Sequence, residues 1–369
     1  VKDVGQIPTP ILLVAPRPDA ADELRCRLDA DAEAVAHALV SHRLATYALA
    51  RLPELGIDPS PIAPALAAAA LIELGWTAKR KLALQELNDQ CEDRCPRLVF
   101  KGAATSRLYY PQETWRWSGD IDVMMHEADL DRLHPEAMAA LRARHEEISF
   151  PEHHIDRQVV AGTAVELHYR LEFAPIWGAL PDLLPCATPC PGFPRLLVPE
   201  TGVSFTLTLL HLLKHRGRMP FDFLDLARME AAELDWGTLA AGWHQTGIAP
   251  YTIAALGVAH ELAGIGPAET VAQLSQGLYG NEIRLARFLR ECVLADRLSR
   301  LRKYRFECAF MGMSFGRFCL RTFLGSRVAT QRLTGWGPRD PRFWLAHCVG
   351  LPMRRVWRLL RGVSGEDRG

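Results

Sequence analysis

Asp120 and Asp122 are separated only by Ile121, in a run from Gly119 to Met125 whose apolar residues predict a strand. Residues two apart on a strand project from the same face. Carboxylates held side by side repel and raise each other's pKa unless a cation neutralises them. An apolar-flanked Asp-x-Asp is therefore costly as a purely structural feature. A divalent cation removes that cost, and hard oxygen ligands suit magnesium, with manganese as its substitute. A third carboxylate, Glu166, lies in the β-like run Val165-Glu166-Leu167-His168. If the two strands are neighbours, three carboxylates meet at one spot. That is a ligand set for two metal ions about 4 Å apart, which clamp the attacking and leaving oxygens of a phosphoryl transfer.

Upstream, Phe100-Lys101-Gly102 closes one predicted strand and opens a helix. Glycine permits close backbone approach, and a helix N-terminus offers free N–H groups to phosphate. Lys101 adds positive charge beside them. His168 either contacts substrate or is a partnered core histidine. Lys214 and His215 either reach a triphosphate or acceptor from a helix or belong to a solvated helix face. His211 and His215 share a helix face, but the Glu of a zincin His-Glu-x-x-His is missing. Asp225 and Arg228, three apart on a predicted helix, read as an internal ion pair. Gly312-Met313-Ser314-Phe315-Gly316 matches a nucleophile elbow, yet it lacks the alternating strands and helices and the later acid and histidine that an esterase needs. Walker A and Rossmann glycine patterns are absent.

The elements that must position these residues fall into three stretches. Residues 1–95 read as a helical region, with helices over Asp19 to Leu52 and Ala65 to Asn88 separated by prolines. Residues 96–199 form an α/β core. It holds the strands Arg97 to Phe100 and Gly119 to Met125, helices at Ala103 to Tyr110 and Ala128 to His145, and a hairpin turning at Ala161-Gly162. The proline-rich Pro175 to Pro199 reads as a connecting segment. Residues 200–369 are helical and end in a basic segment, with candidate helices at Val203–His215, Asp222–Leu234, Ala249–Leu262, Asn281–Arg302 and Phe343–Arg361. The expected fold class is α+β: a small mixed-sheet core flanked by N-terminal helices and a mostly helical C-terminal domain.

The 369 residues carry 43 Lys+Arg and 43 Asp+Glu, and hydrophobic residues make up 49%, which excludes a disordered chain. Neutrality hides an asymmetry: residues 300–369 hold fifteen basic and four acidic residues, a net of +11, leaving −11 on the rest. The basic end either packs on the acidic body or meets an anionic partner, whether nucleic acid, an anionic membrane or an acidic protein; apart from it there is no clear nucleic-acid or membrane signal. The nine cysteines are odd in number and scattered, so a reducing, cytoplasmic setting is expected. The Cys91/Cys95 and Cys186/Cys190 pairs read as buried thiols rather than a zinc site. No signal peptide is visible, and Trp236 to His260, the longest stretch without Asp, Glu, Lys or Arg, reads as two helices and a turn rather than a membrane span.

Taken together, Lys101-Gly102, Tyr110-Pro111, Arg116, Gly119-Asp120-Ile121-Asp122 and Glu166-Leu167-His168-Tyr169-Arg170 resemble the bacterial nucleotidyltransferases of the NTP_transf_5 type, within the DNA polymerase β-like superfamily. Lys214-His215 and Asp225-Leu226-Ala227-Arg228 resemble that family's helical C-terminal half. The resemblance spans about residues 20 to 300. It implies metal-dependent transfer of a nucleoside monophosphate from an NTP, with ATP the expected donor, and release of pyrophosphate. It places the metals on Asp120, Asp122 and Glu166, with Glu166 orienting or deprotonating the acceptor hydroxyl. It puts Lys101, Gly102, Arg116, His168 and Lys214 at the nucleotide. Most of the superfamily has Gly-Ser or Gly-Gly ahead of the aspartates, whereas Gly102 precedes Ala103, so Thr105 or Ser106 would supply that phosphate contact. The acceptor is open: a peptide or sugar tailored in a biosynthetic cluster such as a lasso-peptide cluster, or a partner protein modified by an antitoxin-like AMP transfer. A non-catalytic nucleotide- or peptide-binding protein is the alternative.

Overall fold

A computed structural model describes residues 8–15, 19–92, 95–145, 154–155, 157–171, 183–232, 234–295, 298–310 and 340–345. Among the described residues five helices come first: α1 (Thr9–Val14), α2 (Ala20–Ala30), α3 (Ala32–Ser41), α4 (Ala45–Glu54) and α5 (Ala63–Asp89). The predicted helix over Asp19 to Leu52 is thus three helices. Asp31 breaks it first, because its carboxylate caps α3 by accepting from the Ala34 N–H at 2.9 Å. The second break falls at Arg43, whose φ of 60° no right-handed helix can contain. α5 starts beside Pro64 and runs for 27 residues.

Six strands form one mixed sheet among the described residues: β1 (Arg97–Phe100), β2 (Asp120–Met124), β3 (Gln158–Val160), β4 (Thr163–His168), β5 (Ala187–Cys190) and β6 (Phe193–Pro199), in the order β3-β4-β2-β1-β6-β5. β2 runs parallel to β4, and β1 to β6; the other pairings are antiparallel. The β3–β4 hairpin turns at Ala161 and Gly162, both with positive φ (46° and 75°), the geometry of a two-residue hairpin turn.

The proline-rich stretch is not merely a connector, because it contributes β5 and β6. Its strand prolines sit where the ladder tolerates them: Pro189 at a register shift of the edge strand, Pro194 at the second position of β6 and Pro199 at its last; Gly192 (φ 79°) makes the turn.

Side-chain alternation divides the sheet into two faces. Val99, Ile121, Val123, Val165 and Leu167 point into a hydrophobic cluster closed by the C-terminal half of α5, α6 (Gly102–Leu108), α7 (Glu127–Leu133) and α8 (Pro135–His145). The predicted helix at Ala128 to His145 is therefore two, with α8 beginning at Pro135. Leu98, Phe100 and Met124 belong to the second cluster, on the opposite face. That face carries Asp120 and Asp122, and helices α9 (Thr201–Lys214) and α10 (Pro220–Glu230) stand beyond it.

The same second cluster takes in α1 to α4, α9, α10, α11 (Trp236–Gln245) and α12 (Ala249–Ala263), and α1 packs directly on α10 and α12. Trp236 to His260 is two helices and a turn, and no helix of the described residues is long and apolar enough to cross a membrane. The predicted helix Asn281–Arg302 is likewise two, Asn281–Leu294 and Arg300–Phe310. The Gly-x-Ser-x-Gly motif and most of the predicted helix Phe343–Arg361 lie outside the described residues.

Candidate active site

Parallel pairing sets Asp122 opposite Glu166, Asp120 opposite Ala164 and Met124 opposite His168. The two carboxylate-bearing strands are therefore neighbours, in a register that brings Asp120, Asp122 and Glu166 to one floor. Above it lies a cleft of about 680 Å³. Lys101, Gly102 and Ser118 border the floor on one side; His211 and Lys214 of α9, with His215, Met219 and Asp222, form the facing wall.

Asp122 is 6% exposed, and its Oδ1 accepts from Lys101 Nζ and from His168 Nε2, each at 2.9 Å. Burial opposes its ionisation, but the ammonium and the imidazole hydrogen bond outweigh burial and hold the carboxyl far below its usual range. His168 is itself buried, its ring edge-on to Phe100 at 5.1 Å; burial lowers its pKa against the pull of Asp122, so a neutral ring donates from Nε2. Glu166 Oε2 lies 3.7 Å from the same nitrogen. Asp120 differs from Asp122. Burial, then the charges of Asp122 and Glu166, raise its pKa, so negative charge at this point is incompletely offset.

Ligand atoms of Asp122, Glu166 and His168 lie within 4.8 Å of one another. The hard carboxylates of Asp122 and Glu166, with the destabilised Asp120 carboxylate beside them, fit a divalent cation, and the imidazole joins them as a ligand only when its proton sits on Nδ1 instead of Nε2. His168 rather than Asp120 thus completes this tight group, a member the sequence reading gave only a substrate contact or a core role.

The other residues singled out from sequence are placed as follows. Lys101 joins β1 to α6 with φ 55° and ψ −140°, a conformation costly to a residue with a side chain. A Cβ on Gly102 would stand 2.7 Å from Ser118 Oγ and 3.1 Å from an Arg116 nitrogen, so the glycine is required by close packing of the Arg116–Ser118 segment. Ser106 is fully buried, donates to the Ala103 carbonyl at 3.0 Å and is not among the cleft-lining residues, whereas Ser118 is. Arg116 reaches the cleft but is committed to Asp225, with its Nε 3.0 Å from each carboxylate oxygen and Nη2 2.8 Å from Oδ2.

The predicted Asp225–Arg228 pair is not formed, because Asp225 takes Arg116 and the Tyr110 hydroxyl (2.6 Å) instead, and Arg228 lies over the Tyr110 and Trp115 rings. Lys214 lines the cleft, and burial followed by the charge of Lys101 lowers its pKa to about 8. His211 Nδ1 is bound to Asp222 at 2.9 Å, and its ring lies 4.3 Å from that of His215. Cys91, Cys95 and Cys190 are buried, and Cys186 is half-buried.

Sequence reasoning missed Arg157. It precedes β3 and extends over the floor, with Nε 2.6 Å from Glu166 Oε1 and Nη2 3.7 Å from Asp120 Oδ2. A signal was present: the hairpin pairs Gln158 with Val165, which sets Arg157 beside Glu166.

A mixed sheet whose neighbouring parallel strands present Asp-x-Asp and an acid to one cleft is consistent with the DNA polymerase β-like nucleotidyltransferase superfamily. Residues 29–264 match the model of the NTP_transf_5 family, described as uncharacterised nucleotidyltransferase, and the chain belongs to that family. No curated protein and no solved structure matches it.

Proposed function

We propose that this protein transfers a nucleoside monophosphate from an NTP, with ATP the simplest donor, to a hydroxyl-bearing acceptor. The observation that carries this reading is the in-register meeting of Asp122 with Glu166, beside Asp120 and Lys101, on the floor of one cleft. Asp120, Asp122 and Glu166 would hold magnesium or manganese, with His168 at the edge of the set. A divalent ion there neutralises phosphate charge and polarises the reacting phosphoryl group. Lys101 and Lys214 face the cleft from two sides, and both ammonium groups suit the phosphates. His168 keeps Asp122 ionised and oriented. Gly102 lets Ser118 close on the floor, and Ser118, not Ser106, is the hydroxyl that lines the cleft, where it donates to the Asp120 carbonyl at 2.9 Å.

The acceptor oxygen bonds to the α-phosphorus as the bridging P–O bond to the β-phosphate breaks. Pyrophosphate leaves with the electron pair, and Glu166 takes the acceptor proton. Peptide or sugar tailoring within a biosynthetic cluster would supply the hydroxyl-bearing acceptor, and cytoplasmic location suits free thiols. Labelled NTPs with magnesium and panels of peptide and sugar acceptors test the reading by label transfer and pyrophosphate release. Activity that survives Asp120→Asn combined with Asp122→Asn sinks the assignment.

A second reading is a nucleotide-binding accessory protein without transfer. The presence of both Lys101 and His168 on one oxygen of Asp122 favours it, since that carboxylate is already compensated without a metal. Nucleotide binding without pyrophosphate release across all acceptors is its expected result.

A further inference from the structure

The acidic floor is neutralised by two cations held in different ways. Lys101 is one-fifth exposed, is anchored by the tight β1–α6 junction and reaches the buried Asp122. Arg157 is 62% exposed and bridges the other two carboxylates, Glu166 at 2.6 Å and Asp120 at 3.7 Å. Its guanidinium therefore neutralises the carboxylates on which a metal ion would act, but from the solvent side of the cleft.

We propose that Arg157 is an exchangeable counter-ion. It bridges Glu166 and Asp120 while no metal is bound, yields them to a divalent cation, and then turns its guanidinium to the phosphates of the incoming nucleotide. This inference rests on the metal- and nucleotide-binding reading of the same cleft. Three observations support it. Three carboxylates meet on one floor; Lys101 takes Asp122 at 2.9 Å, and Arg157 is the cation that reaches both Glu166 (2.6 Å) and Asp120 (3.7 Å). The guanidinium end of the pair is open to solvent, which screens it, so a divalent ion can displace it at small cost. The planar fork of arginine matches phosphate oxygens two at a time, and Arg157 lines the same cleft as Lys101 and Lys214. A merely structural pair would tie the hairpin to the sheet and leave ligand affinities alone.

The test compares wild type, Arg157→Gln and Arg157→Lys. Manganese binding is followed by the electron paramagnetic resonance signal of the free ion. Binding of a non-hydrolysable ATP analogue at saturating manganese is followed by calorimetry. Removing the competitor should tighten manganese alone by roughly three- to tenfold in Arg157→Gln. The same variant should bind the analogue several-fold more weakly. Arg157→Lys should keep the wild-type manganese affinity, because it keeps the charge, and fall between the two for the analogue. Equal manganese affinity in wild type and Arg157→Gln, or unchanged analogue affinity, overturns the exchange while leaving the metal site standing. If manganese binds neither protein, the metal reading falls and this inference with it.

Discussion

At the scale of single residues the site holds two departures from rest. Lys101 carries a φ of 55° that glycine would accept without strain. Its ammonium is nevertheless needed on Asp122. Lys101→Gly and Lys101→Ala both lose the ammonium, but only glycine relieves the backbone. Lys101→Gly should therefore be more stable than Lys101→Ala by about 1–2 kcal/mol in urea unfolding, while both bind nucleotide poorly. Lys214 is the second departure. Burial and the charge of Lys101 lower its pKa from 10.5 to about 8, so its charged form is penalised in the folded protein. The penalty is full below pH 8 and is relieved as pH rises from 8 to 10.5, so this residue makes stability increase with pH across that window. Bound phosphates favour the ammonium and raise the pKa again. At pH 8, nucleotide binding should then take up about half a proton, read by calorimetry in buffers of different ionisation enthalpy. Lys214→Met should abolish the uptake.

At the scale of elements, α4 depends on a residue far from it in sequence. Glu73, 1% exposed within α5, accepts from the N–H groups of Ala45 (3.0 Å) and Thr46 (2.8 Å) and from the Thr46 hydroxyl (2.7 Å). It caps α4 from a neighbouring helix, where its negative charge also complements the helix dipole. Glu73→Ala should cost about 2–3 kcal/mol, seen as a lower urea midpoint at unchanged slope. Such long-range caps are what the sequence could not reveal. Local signals did reveal much: the hairpin at Ala161-Gly162, the strands around Asp120 and Glu166, and the helix opening at Gly102 all follow from nearby patterning. Breaks at Asp31 and Arg43 were missed because an alanine-rich run keeps its apolar spacing through a cap. β5 and β6 were missed because proline frequency argues against strands until edge position and a register shift make room for it. In the site, the carboxylates were legible from chemistry alone. The roles of Ser118, Arg157 and Asp225 were not, since each depends on a partner at least nine residues away or on a close approach across a turn.

At the scale of the whole molecule, the sheet and the helical wall must be held at a fixed distance for a cleft to exist between them, and a buried polar cluster spans that gap. Arg116, from the segment leading into β2, is paired in two directions with Asp225 of α10, and the Tyr110 hydroxyl donates to the same carboxylate. Arg80 of α5 donates to the Arg116 and Glu113 carbonyls from behind, at 3.2 and 3.3 Å. Burial works against charge at Arg116, but Asp225 more than offsets it and raises the guanidinium pKa, while burial beside Asp225 keeps Tyr110 a neutral donor. A pair this buried is sensitive to the loss of one member, because the survivor is left charged and uncompensated. Asp225→Ala should cost about 3–5 kcal/mol, and Tyr110→Phe about 1 kcal/mol. Arg116→Met combined with Asp225→Leu should cost clearly less than the sum of the two single changes, since no buried charge is stranded. Urea unfolding of the five variants measures these differences. Nucleotide affinity of the double variant then separates stability from geometry: if the cluster sets the width of the cleft, binding stays weak even where stability returns. If Asp225→Ala costs less than about 1 kcal/mol, within the range of an exposed pair, the cluster does not hold the two walls together, and the spacing must come from apolar packing of α9 and α10 against the sheet alone.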